Sequence, residues 1–171
     1  MSHQEHRILA RDTPVRCAVI TVSDTRTEQT DRSGALMKAR LAEAGHETLA
    51  YHIVPDEPPL ITALLEELAG HVEVILFNGG TGISKRDTTF EALAGRLEKT
   101  LPGFGELFRM LSFEEIGAAA MLSRATAGVY RDTLIFSTPG STNAVRLALD
   151  RLIIPELNHL VWEILRQQVG R

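Results

Sequence analysis

Residues 77–91, Phe77-Asn78-Gly79-Gly80-Thr81-Gly82-Ile83-Ser84-Lys85-Arg86-Asp87-Thr88-Thr89-Phe90-Glu91, bring glycines, two cations and a carboxylate into one short segment. A glycine-rich turn ahead of a helix leaves backbone N–H groups aimed at open space, and such groups attract anions, phosphate above all. Lys85 and Arg86 add positive side chains, and Asp87 adds a carboxylate able to hold a metal ion. The chemistry this combination suits is phosphate handling. Two widespread phosphate motifs are excluded: no glycine directly precedes Lys85, as a P-loop requires, and Lys85 stands where a dinucleotide fingerprint needs its third glycine. The plainer alternative is that Gly80 and Gly82 relieve a tight turn and Asp87 caps a helix. For an isolated loop these two readings stand side by side.

The elements around this segment determine what else can reach it. Val72–Phe77, apolar but for Glu73, predicts a buried strand, and Thr88 with Glu91 spells a capping box for a helix over about 89–99. Upstream, Val15–Val22 predicts a strand covered on both faces, followed by a polar loop over 25–32 and a helix from Ser33 to Ala44, with Gly45 closing it. A strand over 48–54 leads through Pro55-Asp56-Glu57 to a helix opened by Pro58-Pro59 and ending at Gly70. Residues 100–131 break the alternation: Pro102–Gly105 reads as a turn, Glu106–Leu111 as helical, and Ser112 with Glu115 as a second capping box for a helix through about Leu122. Then come a strand at Thr133–Ser137, a helix over about 142–152 capped by Ser141, and a last helix opened by Pro155.

This order predicts a three-layer α/β/α sandwich with a mostly parallel sheet. In such sheets ligands bind beyond the carboxyl ends of the strands. Four loops fall there: Ser23-Asp24, Asp56, Gly79–Asp87 and Pro139-Gly140-Ser141. Their convergence follows from topology and needs no single motif. Each residue also has a plainer reading: an Asx-turn for Asp24, solvent exposure or capping for Asp56, capping for Ser141, and a surface or subunit-interface position for Arg124. Asp87 has the weakest such alternative, because Thr88 with Glu91 already supplies a cap.

At 171 residues and 44% hydrophobic content the chain suits one domain over residues 15–171, preceded by a polar, flexible arm over 1–14. The formal net charge of −4 argues against nucleic acid as a partner. A single cysteine, Cys17, inside an apolar run agrees with a cytoplasmic setting, and no apolar stretch is long enough to span a membrane.

Several motifs then line up together. Thr21-Val22-Ser23-Asp24 with Asp31-Arg32-Ser33-Gly34, Gly79-Gly80-Thr81-Gly82 with Asp87, Pro102–Arg109, Leu122-Ser123-Arg124-Ala125 and Pro139-Gly140-Ser141-Thr142 strongly resemble the MoaB/MogA molybdopterin-binding family, in the expected order across residues 14–165. The run Phe108–Gly117 looks like the MoaB branch. The resemblance implies a trimer or a hexamer built as a dimer of trimers, and a role in molybdenum cofactor biosynthesis, with other proteins of that pathway as candidate partners. It implies a nucleotidyltransferase that adenylylates molybdopterin: the pterin's terminal phosphate attacks the α-phosphate of Mg-ATP and pyrophosphate leaves. Carried over, Asp87 and Asp56 would be catalytic and hold Mg²⁺. Ser23, Asp24, Gly79, Gly80, Thr81, Gly82, Ser123, Arg124, Pro139, Gly140 and Ser141 would contact molybdopterin or ATP. A non-catalytic carrier of molybdopterin or of a pathway intermediate is the competing reading.

Overall fold

A computed structural model describes residues 13–165, so almost all of the 1–14 arm and the last few residues lie outside the described part. The elements are β1 (Arg16–Val22), α1 (Arg32–Glu43), β2 (Glu47–Val54), α2 (Pro58–Leu68), β3 (Val74–Asn78), α3 (Thr89–Ala94), β4 (Lys99–Thr100) and α4 (Pro102–Ile116). A 3-10 turn (Gly117–Leu122), β5 (Thr126–Tyr130), β6 (Thr133–Thr138), α5 (Thr142–Ala148), a π turn (Leu149–Ile153) and α6 (Ile154–Leu165) complete the chain. Six strands form one mixed sheet in the order β2-β1-β3-β6-β5-β4. It is parallel from β2 to β6 and antiparallel across β6–β5 and β5–β4.

Strand side chains alternate between two covered faces, which is why the middles of the central strands are apolar. On β1, Cys17 and Val19 join a core with Met37 and Leu41 of α1, Phe104 and Phe108 of α4, Val145 of α5 and Leu157 of α6. Ala18 and Ile20 point the other way, to Ile61 and Leu65 of α2 and Leu93 of α3. Each fully buried side chain of this size contributes about 1.5–3 kcal/mol, so the two cores hold helices on both faces. The three-layer arrangement follows. Burial pushes the Cys17 thiol up to about 12, with Glu73 adding to the effect, so this cysteine is an inert core residue.

Several expectations need correction. Pro102–Gly105 is not a separate turn and the 112–115 capping box is not a helix start, because α4 runs unbroken from Pro102 through Ser112 to Ile116. The helix expected over 89–99 stops at Ala94, and Glu98 donates its backbone N–H to Val129, drawing the chain into β4. The last two helices are joined by the π turn 149–153, which absorbs the missing N–H of Pro155 without a break.

His46, in the turn before β2, is buried, and its Nδ1 accepts the Val15 backbone N–H at 3.2 Å. Burial holds its pKa below the ordinary 6.5. Because the folded value is depressed, the unfolded chain takes up the proton first as pH falls. The stabilisation is complete above about pH 6.5 and is lost as pH drops towards the folded value. Thermal midpoints measured from about pH 7.5 to about pH 5.5 should therefore decline, and decline less steeply in His46→Gln, which keeps an acceptor but does not titrate.

Candidate functional site

Three parallel strands end together. Thr21 of β1, Asn78 of β3 and Thr138 of β6 are in-register neighbours at the carboxyl edge of the sheet. The chain leaves β1 towards β2 and later returns to place β3 on the other side of β1, so a crevice opens here. The crevice holds two cavities that share the wall Gly140-Ser141.

The first cavity, of about 430 Å³, is lined by Thr21–Ser23, Arg26, Gln29–Ser33, Asn78 and Gly140–Thr142. Its floor is a buried polar network. The Asp31 carboxylate accepts from Thr21 Oγ1 at 2.6 Å, Tyr51 Oη at 2.6 Å and the Gly34 backbone N–H at 2.9 Å, and so caps α1. Asn78 Nδ2 donates to Thr21 Oγ1 at 2.9 Å. Burial, with Asp31 beside it, pushes the Tyr51 phenol well above its usual value, so it remains a donor. Ser33 Oγ donates to the Gly140 carbonyl at 2.8 Å, tying the first turn of α1 to the loop after β6.

The second cavity, of about 290 Å³, is lined by Gly80–Gly82, Asp87, Ser123, Pro139–Ser141 and apolar side chains of α4, the 3-10 turn and α5, among them Phe108, Ile116 and Leu122. Asp87 and Ser141 therefore face one space. The Asp87 Oδ2 accepts from Ser84 N at 2.9 Å and Ser84 Oγ at 2.6 Å, and lies in room that a side chain at Gly82 would fill. Its Oδ1 takes no hydrogen bond from the described residues. Gly79 starts the loop at φ +98°, with its N–H on the Thr138 carbonyl at 3.0 Å, and a β-carbon added there would run into the Val22 carbonyl. Only glycine tolerates both that conformation and that approach.

The other expected residues have defined partners. Asp56 is buried and its Oδ1 accepts from Thr88 N at 3.0 Å and Thr88 Oγ1 at 2.5 Å. The expected capping box is thus absent: Thr88 turns to Asp56, and Glu91 pairs with Arg124. Asp24 pairs with Arg86 through contacts of 3.0 and 2.7 Å, and its carboxyl is held below the usual range by that guanidinium and by the Asp56 N–H. Ser23 Oγ accepts from the N–H groups of Thr25 and Arg26, and Ser141 Oγ caps α5 through Ala144 N at 3.2 Å. Arg124 donates to the carbonyls of Thr81 and Asp87.

Sequence reasoning did not single out Asp31, Asn78 or Arg26 as site residues. A usable signal existed: three largely apolar strands each carry a polar residue at or next to the last position, Thr21, Asn78 and Thr138, and the sheet sets these side by side.

A divalent ion can be tested against this donor set. No group of three or more His, Cys, Asp or Glu side chains able to hold a metal occurs among the described residues. Mg²⁺, however, is commonly held by one or two carboxylates plus substrate phosphates and water. Asp87, with Oδ1 uncommitted beside the cavity, fits that mode. Asp56, with Oδ1 engaged twice by Thr88, fits it less well.

Comparisons with known proteins identify relatives of the chain and of its fold. Residues 18–159 match the family described as "Probable molybdopterin binding domain". The chain is 57% identical over 169 residues to the molybdenum cofactor biosynthesis protein B of Bacillus subtilis (strain 168), covering 96% of this chain and 98% of that protein. A crystal structure of a molybdenum cofactor biosynthesis protein B superposes with a TM-score of 0.87 at 51% identity, covering 91% of this chain and 98% of the other. The tungsten cofactor synthesizing protein MoaB from Pyrococcus furiosus superposes at 0.79 with 38% identity, covering 89% and 98%. Motif order, sheet topology and these similarities converge: the chain belongs to the MoaB/MogA family of molybdopterin-binding proteins.

Proposed function

We propose that the protein acts in molybdenum cofactor biosynthesis as a molybdopterin adenylyltransferase. The observation that carries this reading is the pair of adjoining cavities with the common wall Gly140-Ser141, one polar and one flanked by Asp87 and the Gly79–Gly82 turn. A reaction that joins two anionic substrates needs two such compartments meeting at one point. In it, an oxygen of the pterin phosphate forms a bond to the α-phosphorus of ATP while the bond to the β-phosphate oxygen breaks and pyrophosphate departs. Nucleotidyl transfer of this kind depends on positioning and charge neutralisation more than on covalent help from the protein.

Asp87 would hold Mg²⁺ through its uncommitted oxygen, and the ion, when bound, offsets charge on the triphosphate and the leaving pyrophosphate. Asp56 holds Thr88 and so fixes the end of the loop that carries Asp87. The turn Gly79–Gly82 lets the chain approach nucleotide phosphates closely, while Ser23, Ser123 and Ser141 offer hydroxyls near the pterin and its phosphate. Arg26 and Arg32 in the polar cavity add positive charge for an anionic substrate. Self-association into a trimer or hexamer is part of the same reading. It is supported by Leu107, Met110, Phe113, Ile116 and Met121, which α4 and the 3-10 turn leave exposed, whereas Phe104 and Phe108 are buried.

A second reading, a carrier that binds molybdopterin without turnover, is favoured by one observation: Asp24 and Asp56 are already engaged by Arg86 and Thr88. Purified protein incubated with molybdopterin and Mg-ATP decides between them. Pyrophosphate release with accumulation of adenylylated pterin is expected. Saturable molybdopterin binding with no pyrophosphate would establish the carrier instead. No helix among the described residues is long and apolar enough to cross a membrane.

A further inference from the structure

We propose that Arg124 is a positioning residue for Asp87: its guanidinium clamps the two ends of the 81–87 loop and thereby sets where that carboxylate stands. The proposal rests on the reading of Asp87 as the group that serves adenylyl transfer. A ligand-binding arginine would present free N–H groups to the cavity. Arg124 instead spends its donors on the protein. Nε donates to the Thr81 carbonyl at 3.3 Å, and one terminal nitrogen donates to the Asp87 carbonyl at 3.2 Å and to Glu91 Oε2 at 3.2 Å. The other terminal nitrogen bonds Glu91 Oε1. The Arg124 backbone N–H also reaches the Thr81 carbonyl at 3.3 Å. Four of the five guanidinium N–H groups are thus engaged, and the two loop carbonyls they grip bracket the exposed tip Ile83–Arg86.

The clamp has its own foundations. Glu91 on α3 takes a forked pair of bonds, and the Arg124 guanidinium holds its carboxyl below the usual range. The Phe90 ring lies under the guanidinium, 5.1 Å from its carbon. From the other side, Arg109 of α4 bonds the carbonyls of Ser123 and Ala125 at 3.3 and 3.2 Å, so the segment carrying Arg124 is anchored independently of the loop. A planar fork is required to serve carbonyls and a carboxylate together, and lysine, a compact point charge with three donors, cannot reproduce it.

Two readouts test the proposal. The loop tip carries Lys85 and Arg86, both exposed and both trypsin sites. Brief digestion with mass-spectrometric detection should show cleavage after these residues about ten-fold faster in Arg124→Gln than in wild type, with Glu91→Gln in between, because local opening governs the cut. Glu91→Gln leaves both carbonyl contacts in place, which keeps the test usable should Arg124→Gln fold poorly. An unchanged cleavage rate in both variants overturns the clamp. In the adenylylation assay, Arg124→Lys should lose about 10- to 100-fold in kcat with the KM for ATP altered less than about three-fold. A raised KM with kcat intact would show instead that Arg124 binds substrate, and overturns the proposal. Wild-type protein without turnover would refute the adenylyltransferase reading, while the cleavage rates still decide the clamp.

Discussion

Gly79→Ala will lower the thermal midpoint by about 10 °C or more, whereas Gly45→Ala will lower it by only a few degrees. Both glycines have positive φ, +98° and +82°, so each alanine pays a conformational penalty of roughly 1–3 kcal/mol. They differ in what surrounds them. A β-carbon at position 45 meets nothing within 4 Å, while at position 79 it is driven into the carbonyl of Val22, the last residue of β1. That neighbour is backbone of a central strand and cannot swing aside. Displacing it adds about 1–3 kcal/mol, and in a domain of this size each kcal/mol moves the midpoint by about 2–4 °C. Calorimetry on the two variants isolates the steric part. Equal shifts would mean that the sheet edge yields more easily than its packing indicates.

Asp87→Asn will reduce pyrophosphate release by about 10³-fold, which corresponds to roughly 4 kcal/mol of transition-state stabilisation. The substitution is nearly isosteric. An asparagine oxygen can still accept from Ser84 N and Oγ, so the loop keeps its shape and the thermal midpoint should stay within about 2 °C of wild type. What disappears is the negative charge next to the uncommitted Oδ1 position. Molybdopterin affinity should change little, since Ser23, Ser123 and the 139–141 loop are untouched. Quenched-flow or coupled pyrophosphate assays over a Mg²⁺ titration provide the check. A variant retaining more than about a tenth of wild-type turnover at saturating Mg²⁺ would remove Asp87 from the reaction.

The parts of this fold that sequence made legible are those governed by local rules. The run Val15–Val22, the Pro58-Pro59 helix start and the Gly79–Gly82 turn carry their own periodicity or punctuation, and each forms within a few residues of its expected place. One cause of failure is long-range partnership. Thr88 is met by Asp56 and Glu91 by Arg124, each more than thirty residues away in sequence, so a capping box spelled correctly by spacing does not form. The β5–β6 hairpin was missed because its turn uses Arg131 and Asp132, both at positive φ, where glycine or asparagine would have announced it.

The candidate site divides in the same way. Asp87, Ser141 and the glycine turn were legible because loop residues beyond strand ends converge by topology alone. Asp31 was hidden in a polar loop. Its importance arises from Tyr51 and Thr21, which reach it from β2 and β1 and which no spacing rule connects to it.

That buried network also fixes a direction. Asp31 accepts from three donors, the Thr21 hydroxyl surrenders its hydrogen to it, and the same Thr21 oxygen is then obliged to receive one from Asn78. The remaining amide hydrogen of Asn78 points to the sulfur of Met37 at 3.7 Å. The side chain is left with its carbonyl oxygen alone, and the crevice base is wired with one polarity. Whatever edge of a guest settles over Asn78 must bring a hydrogen of its own, and a guest presenting a lone pair there would be turned away.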